Sequence, residues 1–272
     1  KKRKIQKYFM TLKDKIYVIA EIGVNHNGNL KLAKKLIIAA KKTGADAVKF
    51  QNFSAKNLAT KKSQKADYQK KNTKNNETQY EMLKKLELKK DNYFELKKFC
   101  KKTKIEFISS VFDEESIDFL SKKLKTQYIK VPSGELTNYP LLHNLQKIKN
   151  KIILSTGMAN LKEIVNSLNI IANKKIFKFV NKEKVIIQNK KLHKKFKKRI
   201  IILHCVTDYP VENKYANLSA IENLKLNFKL DVGYSDHTLG ILAPLIAVSK
   251  GAKIIEKHFT LSNNFSDFRD HK

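Results

Sequence analysis

The sequence predicts a TIM-type (β/α)8 barrel, on three observations. Eight short runs rich in β-branched residues recur along the 272 residues. Helical patterns lie between them, and each run ends in polar or charged groups. Near-continuous apolar runs suit parallel strands buried on both faces. Regular strand–helix alternation suits a parallel sheet closed into a ring and wrapped by helices. A doubly wound open sheet is the alternative. It would carry a GxGxxG phosphate turn after its first strand, and GVNHNG (23–28) does not match that pattern.

Taken in order, IYVIAEIG (16–23) is the first strand. It feeds GVNHNG and then NLKLAKKLIIAAKKTG (29–44), whose apolar residues recur every three or four positions and which closes on Gly44. ADAVKFQ (45–51) is the second strand. The polar stretch 52–85 after it is too long for a plain connection and reads as a lid or binding loop. DNYFELKKFCKKT (91–103) leads to the third strand, IEFISSV (105–111), and EESIDFLSKKL (114–124) to the fourth, QYIKVPS (127–133). NYPLLHNLQKI (138–148) leads to the fifth, KIILSTG (151–157). NLKEIVNSLNIIAN (160–173) follows, then a lysine-dominated stretch, 173–198, read as a solvated insertion. RIIILHC (199–205), LDVGYSD (230–236) and AKIIEKHF (252–259) are the last three strands, with TLGILAPLIAVSKGA (238–252) between the final two.

Composition narrows the function classes. No apolar run approaches the ~20 residues of a membrane span, and the basic start KKRKIQKYFM (1–10), part of an extension over 1–15, is followed by no signal-type apolar segment. The ordered pattern begins just after Met10, which the sequence offers as a natural start. Cys100 and Cys205 make no disulfide framework or metal finger, which points to a reducing, cytoplasmic setting. The net charge of +32 would fit a nucleic-acid or anionic-membrane partner. The lysines, however, are spread along the whole chain with no aromatic–basic recognition motif, so neither partner is expected. A positive field does favour an anionic small molecule.

In a barrel, the C-terminal ends of all strands converge on one mouth, however distant they are in sequence. The first strand brings Glu21, with Asn25 and His26 in its loop; the second, Lys49 and Gln51; the third, Ser109 and Ser110; the fourth, Lys130, Ser133 and Glu135. The fifth brings Ser155 and Thr156; the sixth, His204, Thr207, Asp208 and Tyr209; the seventh, Ser235, Asp236 and His237; the eighth, Glu256, Lys257 and His258. Two lysines with several hydroxyls can hold a phosphate and a carboxylate by charge-assisted hydrogen bonds. His237 and His258, on adjacent strands, can share a metal, and the carboxylates can orient water or move protons. Plainer readings stand beside these. His204 and Cys205 fit a core, and Asn25, Asn27 and Gly28 fit a turn and helix N-cap.

With these residues in place, AEIGVNHNG, GADAVKFQ, IKVPSGELTNYPLL, LSTGMA, LHCVTDYP, GYSDHTLGI and IEKHFTL resemble, in order from about residue 16 to 272, the sialic acid synthase family. That family includes N-acetylneuraminate, legionaminate and pseudaminate synthases. The resemblance implies condensation of phosphoenolpyruvate with the open-chain aldehyde of an N-acetylmannosamine-type sugar, releasing phosphate and forming a nonulosonic acid, with Mn2+ or Mg2+ as Lewis acid. It implies metal binding by His237 and His258 and phosphoenolpyruvate binding by Lys49, Ser110, Lys130, Ser133, Ser155, Thr207, Tyr209 and Ser235. It assigns Glu135 to the reacting carbon, Glu21 and Gln51 to the sugar, Glu256 to the metal and its water, and Asp270 to a sugar hydroxyl.

The chain also departs from the family pattern. It has Ser109-Ser110 where many members have Ser-Thr, Thr207 where some have Asn, and FSDFRDHK (265–272) where many have PGPDHK. The family usually continues with a last barrel helix and an antifreeze-like (SAF) domain that covers the partner's site in a homodimer. Neither is in these 272 residues, so the sequence predicts a barrel truncated after its eighth strand, with weakened sugar binding. The alternative function is a Schiff-base aldolase or lyase, with Lys130 attacking pyruvate or a phospho-sugar.

Overall fold

The computed structural model describes residues 15–65, 70 and 76–262; Asp270, the departing loop before it and most of the basic extension lie outside them. The strands are β1 (Tyr17–Gly23), β2 (Ala47–Asn52), β3 (Glu106–Val111), β4 (Tyr128–Val131), β5 (Lys151–Ser155), β6 (Phe177–Asn181), β7 (Lys184–Ile187), β8 (Ile200–Cys205), β9 (Asp231–Asp236) and β10 (Ile254–His258). Eight of them form a closed parallel barrel in the order β1-β10-β9-β8-β5-β4-β3-β2. All eight strands expected from the sequence are present. The ring itself is complete, because β1 pairs with β10 from Tyr17↔Ile254 through Glu21↔His258.

The helices among the described residues are α1 (Leu30–Lys42), α2 (Ala55–Leu58), α3 (Gln79–Leu86), α4 (Lys90–Thr103), α5 (Glu114–Asp118), α6 (Tyr139–Leu145), α7 (Leu161–Ala172), α8 (Lys190–Phe196), α9 (Ser219–Phe228) and α10 (Leu242–Ser249). Helix α1 shows how the wrap works. Asn29 caps it, its Oδ1 accepting from Leu32 N at 3.0 Å, and Ala33, Leu36, Ile37 and Ala40 form the buried stripe. The cap is thus Asn29 rather than Asn25 or Asn27. None of the described helices is long and apolar enough to cross a membrane.

Two long connections differ from expectation. The stretch 52–85 contains α2 and α3, the latter started by a reciprocal Thr78–Glu81 capping box. The lysine-rich insertion is a built substructure: β6 and β7 form an antiparallel hairpin, followed by α8. Phe177, Val185, His193 and Phe196 are buried, and the Phe177 ring lies 5.4 Å from that of Phe228 on α9. The apolar residues sit at two-residue and three-residue spacings that lysine-dominated composition hides. The exposed lysines keep the outer face solvated, while the aromatic residues anchor the unit to α9.

The barrel interior is layered. Ile19, Ala47, Ile108, Ile153, Leu203 and Ile254 form one apolar plug. Two residues further along these strands stand Glu21, Lys49, Ser110, Ser155, Cys205 and Glu256, a strand repeat that keeps them on the same inward face. The apolar plug therefore closes the floor beneath a polar layer.

Candidate active site

The polar layer lines a cavity of about 390 Å³ at the C-terminal mouth of the barrel, the position where barrels of this kind build their sites. Its wall includes Glu21, Lys49, Gln51, Ser110, Lys130, Ser133, Glu135, Ser155, Thr207, Tyr209, Ser235, His237, Glu256 and His258. Apart from Asp270, which is outside the described residues, every residue to which the family resemblance assigns a role is in this one wall.

At its base lie four buried charges in one network. Lys49 Nζ is 3.0 Å from Glu21 Oε1 and 3.6 Å from Glu256 Oε1, and Lys130 Nζ is 3.3 Å from the same Glu256 oxygen. Lys49 Nζ also donates to Ser110 Oγ at 3.2 Å, Ser235 Oγ to Glu256 Oε1 at 2.8 Å, and Gln51 Nε2 to Glu21 Oε1 at 3.4 Å. Buried charges persist only when paired, so the two lysines are not bare ammonium groups awaiting an anion, as the sequence implied. Each already has a carboxylate. Three buried lining atoms have no protein partner: Glu21 Oε2, Glu256 Oε2 and Ser155 Oγ.

Electrostatics divides the four groups. Burial raises the Glu21 carboxyl above its ordinary value, and Lys49 only partly opposes this. Burial acts the same way on Glu256, but Lys130, Lys49 and the Ser235 hydroxyl outweigh it and hold that carboxyl down at about 2. Burial pulls Lys130 down, with Lys49 adding to the effect. Lys49 is raised, because Glu21 and Glu256 overcome its burial. Two carboxyls pushed in opposite directions are the usual signature of a proton donor beside an acceptor.

Above this network His237 and His258 meet, ring centroids 5.6 Å apart, with the Tyr209 ring 4.3 Å from His237. His237 Nδ1 lies 2.6 Å from the Val206 carbonyl, which can only accept, so Nδ1 carries the proton and Nε2 keeps its lone pair. That tautomer fits a metal ligand. Among the described residues no group of three or more His, Cys, Asp or Glu side chains has metal-binding spacing. A cation at the imidazole pair would take its other ligands from water or substrate oxygens, as open catalytic sites do.

Several mouth residues do not face the cavity. Ser109 Oγ donates to the Ser110 carbonyl, Thr156 Oγ1 to the Leu203 carbonyl, and His204 Nε2 to the Ala216 carbonyl at 2.8 Å. Asn25 Nδ2 donates to Phe259 O at 2.9 Å. His26 is buried against Phe50, its Nδ1 accepting from Gly28 N at 3.0 Å, and burial lowers its pKa to about 4. GVNHNG thus offers only its neighbour Glu21 and its own Val24 to the cavity. Gly28 is required because it has φ +68° and a Cβ there would lie 2.4 Å from the Lys85 carbonyl, where the lid packs down. Cys205, expected in the core, is buried but also lines the cavity.

One wall went unforeseen. Val24, Phe53, Met82 and Leu86 cluster with Leu58, Leu83 and Phe112, and all seven line the outer cavity. The signal was present in QYEMLKKL (79–86), whose apolar residues recur at helical spacing inside the polar stretch.

Fold and site together define a barrel enzyme with a charged, hydroxyl-rich catalytic mouth. The chain belongs to the NeuB family, whose model matches residues 36–272. It is 49% identical over 258 residues to N,N'-diacetyllegionaminic acid synthase of Campylobacter jejuni, covering 95% of this chain and 71% of that protein. To the N,N'-diacetyllegionaminic acid synthase of Legionella pneumophila it is 45% identical, covering 91% of this chain and 65% of that protein. The crystal structure of N-acetylneuraminic acid (sialic acid) synthetase from Leptospira borgpetersenii, in complex with citrate, superposes with a TM-score of 0.75 at 31% identity, covering 95% of this chain and 78% of that one. The chain therefore spans 65% to 78% of the length of these three proteins.

Proposed function

We propose that this barrel condenses phosphoenolpyruvate with an N-acetylated amino sugar to form a nonulosonic acid and phosphate. The observation that carries the reading is the single buried network of Glu21, Lys49, Lys130, Glu256 and Ser235 at the cavity base, with unpartnered Glu21 Oε2, Glu256 Oε2 and Ser155 Oγ beside it. Lys49 and Lys130, with the hydroxyls of Ser110, Ser133, Ser155, Thr207, Tyr209 and Ser235, hold the phosphate and carboxylate of phosphoenolpyruvate. Gln51 and Glu21 orient the sugar. The C3 carbon attacks the sugar aldehyde beside Glu135, and the aldehyde oxygen takes a proton from Glu21, the carboxyl that burial raises. Water adds at C2, giving up one proton to Glu256, and the C2–O bond to phosphate then breaks as the new C2 hydroxyl passes its proton to the departing phosphate, leaving the 2-keto acid. Mn2+ or Mg2+ held by His237 and His258 would supply Lewis-acid polarisation of the aldehyde.

The apolar wall supports a sugar that carries methyl groups, such as a 2,4-diacetamido-6-deoxy mannose, over one with free hydroxyls at those positions. We place the reaction in the cytoplasm, in keeping with two buried, unpaired cysteines, and propose that the protein works as a homodimer. Phosphate release from phosphoenolpyruvate should require the sugar and run faster with the diacetamido-6-deoxy sugar than with N-acetylmannosamine. No sugar-dependent release with either rejects the reading. A lysine adduct trapped by borohydride with pyruvate would favour the lyase instead, for which the lowered pKa of Lys130 is the supporting feature.

Gly157 supplies a second test. It has φ +45°, and a Cβ there would lie 2.3 Å from Ser133 Cβ and 3.0 Å from Thr207 Oγ1, two hydroxyl residues 3.3 Å apart. Gly157→Ala must displace that pair and strain the backbone by about 1–3 kcal/mol. Steady-state kinetics should show KM for phosphoenolpyruvate raised more than KM for the sugar. Unchanged phosphoenolpyruvate KM would remove Ser133 and Thr207 from the anion site.

A further inference from the structure

Strands β9 and β10 are in register with Glu256 opposite Ser235 and Lys257 opposite Asp236. On the inward face that register yields the Ser235–Glu256 hydrogen bond at 2.8 Å. On the outward face it yields an ion pair between Lys257 Nζ and Asp236 Oδ2, with Lys257 also donating to the Thr238 carbonyl at 2.8 Å. The Asp236 carboxylate is fully buried, while a third of the Lys257 side chain is exposed. The other Asp236 oxygen, Oδ1, accepts from Thr238 N at 2.9 Å and Thr238 Oγ1 at 2.8 Å. Asp236 and Lys257 therefore fold the chain tightly around the residue between Asp236 and Thr238, which is His237.

The β8 loop grips the same turn from its other side. Val211 N donates to His237 O at 2.9 Å, and His237 Nδ1 donates to the Val206 carbonyl. Lys257 is also the residue before His258 in its own strand. One outward-facing ammonium thus ties the backbone carrying one imidazole to the backbone carrying the other.

We propose that Lys257 is a positioning residue that, through Asp236 and the Thr238 carbonyl, holds His237 and His258 at matching heights so that both act on one cation. The inference rests on the reading of those two histidines as metal ligands. Side chains that orient first ligands commonly change metal affinity about 10- to 100-fold when removed. Lys257→Met keeps the aliphatic stem and deletes the ammonium, and Lys257→Arg keeps the cation.

The test is Mn2+ binding followed by loss of the free-ion paramagnetic resonance signal, with circular dichroism melting and phosphoenolpyruvate binding to the metal-free protein measured alongside. Lys257→Met should bind Mn2+ about 10- to 100-fold more weakly, with phosphoenolpyruvate affinity unchanged, and Lys257→Arg should restore most of the loss. Wild-type Mn2+ affinity in a folded Lys257→Met protein overturns the inference. The double variant Lys257→Met with Asp236→Asn removes the uncompensated buried carboxylate. It should regain stability but not Mn2+ affinity, and recovery of both would reduce Lys257 to charge compensation and overturn its positioning role. Failure of the underlying reading is distinguishable, because His237→Ala would then bind Mn2+ as wild type does.

Discussion

Glu256→Gln is expected to lose turnover while holding phosphoenolpyruvate at least as tightly as the parent protein. Glu256 sits at the centre of the network, accepting from Ser235 and neutralising both Lys130 and Lys49. It also competes with any anion for those two ammonium groups. Removing its charge leaves Lys130 without its nearest carboxylate, at a cost of about 3–5 kcal/mol in the free protein. A bound phosphate offsets that cost. Phosphoenolpyruvate should therefore raise the melting temperature more in the variant than in the parent. Loss of the proton acceptor should lower kcat about 10²- to 10⁴-fold. Near-normal kcat would remove Glu256 from the chemistry. Acid unfolding gives an independent reading. The folded value of about 2 lies below the ordinary 4.5, so the stability from this carboxylate is fully present above pH 4.5 and is lost as pH falls through about 2. The glutamine variant should lack that component.

His237→Ala should abolish the metal-dependent rate. Parent activity is expected to vanish with chelator and return with Mn2+ or Mg2+, whereas the variant's residual rate should ignore both. Lewis-acid polarisation is worth several kcal/mol, so the loss should reach about 10³-fold. The truncation also removes the Nδ1 bond to Val206 and the ring contact with Tyr209 at 4.3 Å, while the backbone bond from Val211 N to His237 O still ties the turn to the neighbouring loop. A variant that keeps a chelator-sensitive rate would mean the cation is held elsewhere.

Much of the barrel was legible. Each predicted strand lies within a residue or two of an observed one, as with 16–23 against Tyr17–Gly23, because fully buried parallel strands announce themselves as short β-branched runs. The site was legible as a set of strand ends, but not as a set of inward side chains. Near the mouth both faces of a strand are polar: Ser109 beside Ser110, Thr156 beside Ser155, Asp236 beside Ser235. There the two-residue alternation carries no contrast, and only one of each pair reaches the cavity. The lid and the insertion were masked for another reason, since a few buried apolar residues anchor each while lysine and asparagine dominate the count.

The sequence by itself determined the alternation of strands and helices, the chemistry at each strand end and the family to which the chain belongs. These depend on spacing between neighbours and on residue type, which the linear order records. Only the tertiary structure decided that the ring closes, that Lys49 and Lys130 are already matched by Glu21 and Glu256, that the stretch after β2 supplies an apolar wall, and that an outward ion pair bridges the two backbone segments that carry His237 and His258. Lys130 and Glu256 are 126 positions apart. Their attraction depends on distance through space and on the low dielectric of a buried site, and neither quantity exists until the barrel has closed.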